Sequence, residues 1–256
     1  MTVELTRPVS RRTLGTETLL VLGLSLGQSA VYAMVSIIAK LTAEGPLSKQ
    51  TASLNTSHSA RPYLDLTYQL LGICFALLPV LLAVHLLARD PGDPARTLGV
   101  DLRRPGSDLA RGAGLAALIG LPGLALFWAA AQLGVNATLV PAALPALWWA
   151  VPVLILAAVQ NAVLEEVIVV GYLVTRLRQL RWRLGAVIAA SALLRGSYHL
   201  YQGFGAFVGN AVMGVIFSLF YLRTRRVAPL IVAHTLLDVV AFVGYSLLPK
   251  EWFSWL

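Results

Sequence analysis

Residues 144–176 read LPALWWAVPVLILAAVQNAVLEEVIVVGYLVTR. The stretch is apolar almost throughout and ends at Arg176, and it is longer than the ~20 residues needed to cross a bilayer core as a helix. Inside it stand two adjacent acids, Glu165 and Glu166. One ionised acid at the centre of a membrane helix costs about 2.5–3.5 kcal/mol on insertion scales. A chain keeps a pair of them where they face a polar cavity and do work there.

The rest of the sequence sets this stretch in a membrane protein. Of the 256 residues 57% are hydrophobic and only 12% charged, with mean hydropathy +0.74, against about 25% charged in soluble domains. Further apolar runs lie at Leu14–Leu41, Leu64–Ala88, Gly112–Leu133, Leu184–Tyr201, Gly205–Leu222 and Val227–Leu248. The predicted fold is therefore an all-α, polytopic transmembrane helix bundle of about seven spans. The first run is too long for the apolar core of a signal peptide and reads as a retained anchor. The polar stretch 42–62 and the proline-broken stretch 89–111 read as loops. The single cysteine, Cys74, excludes an intramolecular disulfide.

The net charge of +8 raises the question of nucleic acid, but the bases answer it. They cluster at the ends of apolar runs, with no aromatic-interleaved patch, as in loops that face anionic lipid. With the N-terminus inside, the inner segments hold fifteen of the twenty bases. These are Arg7, Arg11 and Arg12; Arg89, Arg96, Arg103, Arg104 and Arg111; Arg176, Arg178, Arg181 and Arg183; and Arg223, Arg225 and Arg226. The outer segments hold four, Lys40, Lys49, Arg61 and Lys250, and Arg195 lies within the membrane. The positive-inside rule then predicts an N-in, C-out protein. Scarce lysine with abundant arginine, alanine and leucine points to a bacterial, multi-pass protein of the plasma membrane.

Ionisable residues inside the spans are few and spaced. Arg195 and His199 are four apart in the fifth run, His234 and Asp238 four apart in the seventh, and Asn161 and Glu165 four apart in the fourth. Each pair shares one helical face. Glu165 and Glu166, about 100° apart around a helix, cannot point the same way: one faces the chemistry and the other holds a partner. A lone buried histidine or a lone Glu–Arg pair is usually structural. Six ionisable groups on three helices read as a site. Counting 1.5 Å per residue, Glu165 and His234 lie about 16 and 12 Å from their basic ends but His199 about 24 Å, so the fifth helix must tilt or begin outside the bilayer for all to meet.

These residues resemble a family. Glu165-Glu166 followed by Gly171-Tyr172, then Arg195-Gly-Ser-Tyr-His199, then His234-Thr-Leu-Leu-Asp238, are similar to the three ordered motifs of the CAAX-protease and bacteriocin-processing (CPBP, or Abi) intramembrane proteases, relatives of the prenyl-protein endopeptidase. The resemblance covers residues 145–245. It divides the chain into N-terminal spans and linker at 1–143, with no match, and a catalytic core at 144–248. It implies a glutamate-dependent peptidase with no acyl-enzyme and a peptide or membrane-protein substrate. The implied catalytic residues are Glu165, Glu166, His199, His234 and Asp238, with Asn161 and Arg195 supporting them. Two positions depart from the motifs: the expected arginine is Val170 and the expected phenylalanine is Arg195. Together they read as a cation moved from the fourth helix to the fifth, where Arg195 would offset the repulsion between the glutamates.

Three other readings stand beside this one. Two Glu and two His could hold Zn²⁺, although a close His-x-x-x-His pair is absent, and the expectation is no cofactor. A proton-coupled transporter also uses buried Glu, His and Arg, but no matched pair of Gly- or Pro-interrupted spans is visible. The departures at Val170 and Arg195 fit an inactive relative serving as an immunity or assembly factor.

The topology is open to direct measurement. Reporter fusions at Asn55 and after the last residue are expected to score external, and a fusion at Arg103 internal; an internal C-terminus overturns the seven-span reading.

Overall fold

The computed structural model describes residues 9–249, so Arg7 and Lys250 of the charge count lie outside the described residues. The described chain is a helix bundle. Its helices are α1 (Arg11–Gly23), α2 (Leu26–Thr42), α3 (Pro62–Ala76), α4 (Leu78–Leu87), α5 (Pro94–Leu98), α6 (Pro105–Gln132), α7 (Ala150–Glu165), α8 (Leu173–Gln179), α9 (Leu184–His199), α10 (Phe204–Thr224) and α11 (Ala228–Leu247). Proline at the first turn starts α3, α4, α5, α6 and α11, where its missing N–H costs nothing.

Five stretches are long and apolar enough to cross a membrane: 62–87, 105–132, 150–179, 204–224 and 228–247. A sixth follows if α1 and α2, bent by 52° at Leu24–Ser25, count as one. The difference from the expected seven is α9. At 16 residues it is about 24 Å long, short of a ~30 Å hydrocarbon core, before a 3₁₀ turn at Leu200–Gln202 ends it.

The stretch 150–179 is the hub. In its most apolar window 67% of the residues are buried, against 33% or less in the other four spans. A hydrophobic core drawn from both halves of the chain closes around it, with Val21, Leu87, Leu98 and Leu115 beside Ile168, Val170, Phe217 and Leu230. Between α7 and α8 the helix widens to a π form over Glu166–Tyr172. A π segment shifts the backbone bonding by one residue; such segments are rare and frequently lie at functional sites. Here Ser191 Oγ, on α9, donates to the Val169 carbonyl at 2.9 Å, and Ser218 Oγ donates to Ser191 Oγ at 3.0 Å. α9 and α10 pack unusually close: a Cβ on Gly214 would lie 2.8 Å from Ala192 Cα.

The loops gather in two sets. At one end, β1 (Thr51–Ser53) pairs in parallel with β2 (Thr138–Val140), Thr51 opposite Thr138 and Ser53 opposite Val140. Asn55 Nδ2 donates to the Pro141 carbonyl at 2.9 Å, and Asn136 bridges to Gly203. These strands join the loops before α3, before α7 and before α10 into one roof. At the other end the α5 segment is clamped to the α10–α11 turn. Arg226 donates to Asp108 Oδ2 at 2.6 Å and Asp101 Oδ1 at 3.0 Å, and the Val227 N–H donates to the Leu98 carbonyl at 2.9 Å. Gly99 sits there at φ +66, where a Cβ would lie 2.3 Å from the Arg225 carbonyl oxygen. The Asp90 carboxylate, likewise, accepts from the fully buried Arg176 at 2.6 Å.

Desolvation pushes the Asp101 carboxyl up, but hydrogen bonds from Arg226 and the Arg103 N–H outweigh it and leave the group below its ordinary 3.8. A lowered carboxyl contributes stability above its unfolded pKa and loses it as pH falls through the folded value, so the clamp is intact at neutral pH. Arg226→Met strands Asp108, whose side chain is 6% exposed. Breaking a buried pair costs about 3–5 kcal/mol, so a large fall in melting temperature in detergent is expected at pH 7; an unchanged melt shows that the clamp carries no stability.

Candidate functional site

The junction of α7 with the π segment falls between the two glutamates, so that Glu165 closes one helix and Glu166 opens the next turn. Adjacent helical residues point about 100° apart, and the burial follows. Glu165 borders a cavity with its side chain 11% exposed, whereas Glu166 is sealed at 0%. α9 supplies Arg195, also at 0%, between them. Its Nη2 donates to Glu166 Oε1 at 2.6 Å and its Nη1 to Glu165 Oε2 at 3.3 Å. The guanidinium lies 5.4 Å from the centre of the Phe217 ring of α10, a cation–π distance. Val170, the position where the family motif carries arginine, is fully buried in the apolar core.

His234, from α11, completes this inner group. Its Nδ1–H donates to Glu166 Oε1 at 2.7 Å and lies 4.0 Å from Glu165 Oε2. A ring nitrogen held by a buried carboxylate has its tautomer and orientation set by that bond. The other nitrogen, Nε2, is 3.6 Å from Asp238 Oδ1, a charge contact beyond hydrogen-bond length. Asn161, one turn before Glu165, stands beside Asp238. His199 is fixed differently: its Nδ1–H donates to the Arg195 carbonyl at 3.0 Å, which leaves Nε2 as the free acceptor.

The cavity holds about 590 Å³, and its walls include Glu165, His199, His234, Asp238 and Asn161. The structure thus brings five of the seven residues singled out in the sequence to one space and seats the other two, Glu166 and Arg195, directly behind it. The helices that meet there are α2, α3, α7, α9, α10 and α11, with Leu54 and Leu139 of the roof overhead.

One participant was missed in the sequence. The Tyr198 hydroxyl donates to Glu165 Oε2 at 2.7 Å, and its ring packs 4.7 Å from that of His199. Tyr198 is three residues after Arg195, hence on the same helical face; that spacing was the available signal. Gln160, Tyr201 and Gln202 also reach the cavity wall.

Glu165, Glu166 and His234 each offer a ligand atom within 4.8 Å of the others, which raises the question of a metal ion. The donors fit one poorly. Glu166 Oε1 and His234 Nδ1 are spent on each other, Glu166 also receives Arg195, and a fixed guanidinium already sits against both carboxylates. His199 is not in that cluster.

Residues 146–240 match the family model described as type II CAAX prenyl endopeptidase Rce1-like, which agrees with the resemblance of the three motifs. No curated protein and no solved structure matches the chain.

Arg195 is the test of this electrostatic arrangement. Arg195→Phe leaves two buried carboxylates without their cation, a loss of about 3–5 kcal/mol that is read as a lowered melting temperature in detergent. Val170→Arg added to it restores the motif pattern and is expected to recover part of the loss. A double variant no more stable than the single shows that the cation's position cannot be exchanged between the two helices.

Proposed function

We propose that this chain, whose residues 146–240 match the Rce1-like endopeptidase model, is an intramembrane endopeptidase that hydrolyses a peptide bond with glutamate-activated water. One observation carries the reading: Glu165, His199, His234 and Asp238 share the wall of one cavity, while Glu166 and Arg195 are sealed behind it. That division assigns Glu165 the proton transfers and Glu166 the support.

In this mechanism a water lies between Glu165 and His199 Nε2. Glu165 takes its proton as the oxygen attacks the peptide carbonyl, the general-base step that contributes about 10²–10⁴-fold in enzymes. Charge develops on the carbonyl oxygen beside His234. The imidazole, held by Glu166 at Nδ1 and protonated at Nε2, donates to that oxyanion. Asp238, 3.6 Å from Nε2, orients the ring, with Asn161 next to it. Collapse breaks the C–N bond, and the proton held by Glu165 passes to the leaving amine. Attack by water gives the acid directly, so no acyl-enzyme forms. Tyr198 and Arg195 hold Glu165 in place. Arg195 and protonated His234 set two cations against the three acids Glu165, Glu166 and Asp238, which supports an ionised Glu165 in a low-dielectric setting without a metal.

The apolar part of the cavity wall, with Leu54, Leu139, Met213 and Phe242, supports a hydrophobic peptide or a membrane-protein segment as substrate, taken from the lipid phase. The arginine-rich, lysine-poor composition supports a bacterial plasma membrane as the setting, N-terminus inside.

Purified protein in detergent, given a peptide library, is expected to cleave some members, unaffected by a chelator. Glu165→Gln and His234→Ala should lower the rate by at least about 100-fold at unchanged protein level. Tyr198→Phe, which removes one hydrogen bond to a charged group worth about 1.5–3 kcal/mol, should lower it by about 10–100-fold. Full activity in Glu165→Gln sinks the assignment; cleavage abolished by chelator favours a metal instead; no cleavage of any peptide favours the immunity or assembly role.

A further inference from the structure

The roof over the cavity has an open edge. In the parallel ladder the Thr138 N–H donates to the Gln50 carbonyl at 2.8 Å and the Leu54 N–H to the Val140 carbonyl at 2.9 Å. Residues 138 and 140 therefore turn their backbone groups toward β1, and residues 137 and 139 turn theirs away. The Ala137 N–H is satisfied: it donates to the Gln202 carbonyl at 3.0 Å. One step further along the same edge the chain of α9 and its 3₁₀ turn has peeled off, and the N–H and C=O of Leu139 have no hydrogen-bond partner among the described residues.

Leu139 is half-buried, and an open strand edge of this kind is a ready template for an incoming chain. Leu139 and Leu54 line the same cavity as Glu165, His199 and His234. Gln202, whose carbonyl occupies the edge beside Leu139, also lines it, and is three residues past His199 along a 3₁₀ turn, or about 6 Å at 2.0 Å per residue. Two residues of extended chain, at about 3.3 Å each, span that distance. The roof is also held firmly enough to act as a template. Lys40 Nζ and Gln50 Nε2 cross-link it to the end of α2, each at 2.6 Å, and Thr138 Oγ1 donates to the Ser48 carbonyl at 2.8 Å.

We propose that the substrate peptide binds extended as a third strand on β2, exchanging two main-chain hydrogen bonds with Leu139, and that this pairing sets which bond lies over Glu165. The proposal deepens the endopeptidase reading and rests on it for the identity of the ligand. Strand addition of this kind takes its affinity from the backbone and leaves sequence preference to alternate side chains. A residue paired with Leu139 contributes its N–H, so one position of the peptide, a fixed two or so residues from the scissile bond, must carry a free amide.

An N-methyl scan tests this without altering the protein. The probe is the tightest binder from a set of fluorescein-labelled apolar octapeptides, measured by anisotropy against full-length Glu165→Gln in detergent, so that no turnover intervenes. Methylation at one non-scissile position should weaken binding by tenfold or more, with its immediate neighbours much less affected. Leu139→Pro, which deletes the edge N–H but no bond of the β1 ladder, should bind the parent peptide as weakly as wild type binds the methylated one, and should be insensitive to that methyl group. Leu139→Ala, which keeps the N–H, should keep the scan pattern. If Leu139→Pro does not fold, the scan against Glu165→Gln still decides. A flat scan, a pattern unchanged in Leu139→Pro, or no binding by any peptide overturns the proposal. Cleavage by the wild-type protein with a flat scan removes the strand pairing and leaves the protease; a position-specific scan without cleavage removes the protease and leaves the pairing.

Discussion

The fold turns on one guanidinium. Arg195 lies fully buried between Glu165 and Glu166, within 3.3 Å of one and 2.6 Å of the other. Each ion taken out of water costs several kcal/mol, and the mutual attraction offsets this only when the geometry is good and the remaining valences are met. The surroundings meet part of them: Tyr198 for Glu165, His234 for Glu166 and the Phe217 ring for the guanidinium, while Glu166 Oε2 and Arg195 Nε have no hydrogen-bond partner among the described residues. Three helices are committed by that group, α7 through the acids, α9 through Arg195 and Tyr198, and α11 through His234. Close packing of α9 on α10 at Gly214 is a condition of the same arrangement, since the Arg195 stem runs past that glycine.

The α-to-π change at the acid pair gives the two carboxylates different fates. The turn that presents Glu165 to the cavity ends there, and the widened turn carries Glu166 inward. The cost of the irregular backbone is reduced by Ser191, whose hydroxyl serves the Val169 carbonyl and is itself served by Ser218. Two small polar residues that look incidental in apolar helices thus support the backbone that carries the acid pair. The same logic separates the histidines. His234 is oriented by a carboxylate at Nδ1; His199 is oriented by a carbonyl at Nδ1, which leaves its Nε2 as an acceptor.

Much of the site was legible because the bilayer makes polarity conspicuous. Glu165, Glu166, Arg195, His199, His234 and Asp238 stood out against apolar runs, and four-residue spacing assigned each pair to one face. The all-helical architecture followed from the same runs. What was not legible had no local signal. Nothing in Val167-Ile-Val-Val170 distinguishes a π turn from an α turn, and the hydroxyl that meets the Val169 carbonyl there comes from Ser191 on another helix. The roof strands are three residues each and form only by pairing across the chain, so Thr51–Ser53 and Thr138–Val140 read as loop. α9 read as a span because its apolar run continues through Leu200 and Tyr201, and only the 3₁₀ turn shortens it. Tyr198 was hidden by being amphipathic: a tyrosine in a membrane helix is ordinary until its hydroxyl finds a carboxylate.

The two departures from the family motifs also change how the bundle is coupled. An arginine at position 170 would neutralise the acids from within their own helix, leaving the site's electrostatics independent of α9. With valine there and arginine at 195, the charge balance exists only when α9 is docked. The helix that carries the cation also carries Tyr198 and His199, and its 3₁₀ turn delivers Gln202 to the edge of β2. The inner ion pair, the hydrogen bond that orients Glu165, the placement of His199 and the tie to the roof therefore all depend on one short helix and the turn that follows it. The helix that packs on α2 and α10 thus also carries the buried cation, which links the electrostatics of the site to the fold that encloses it.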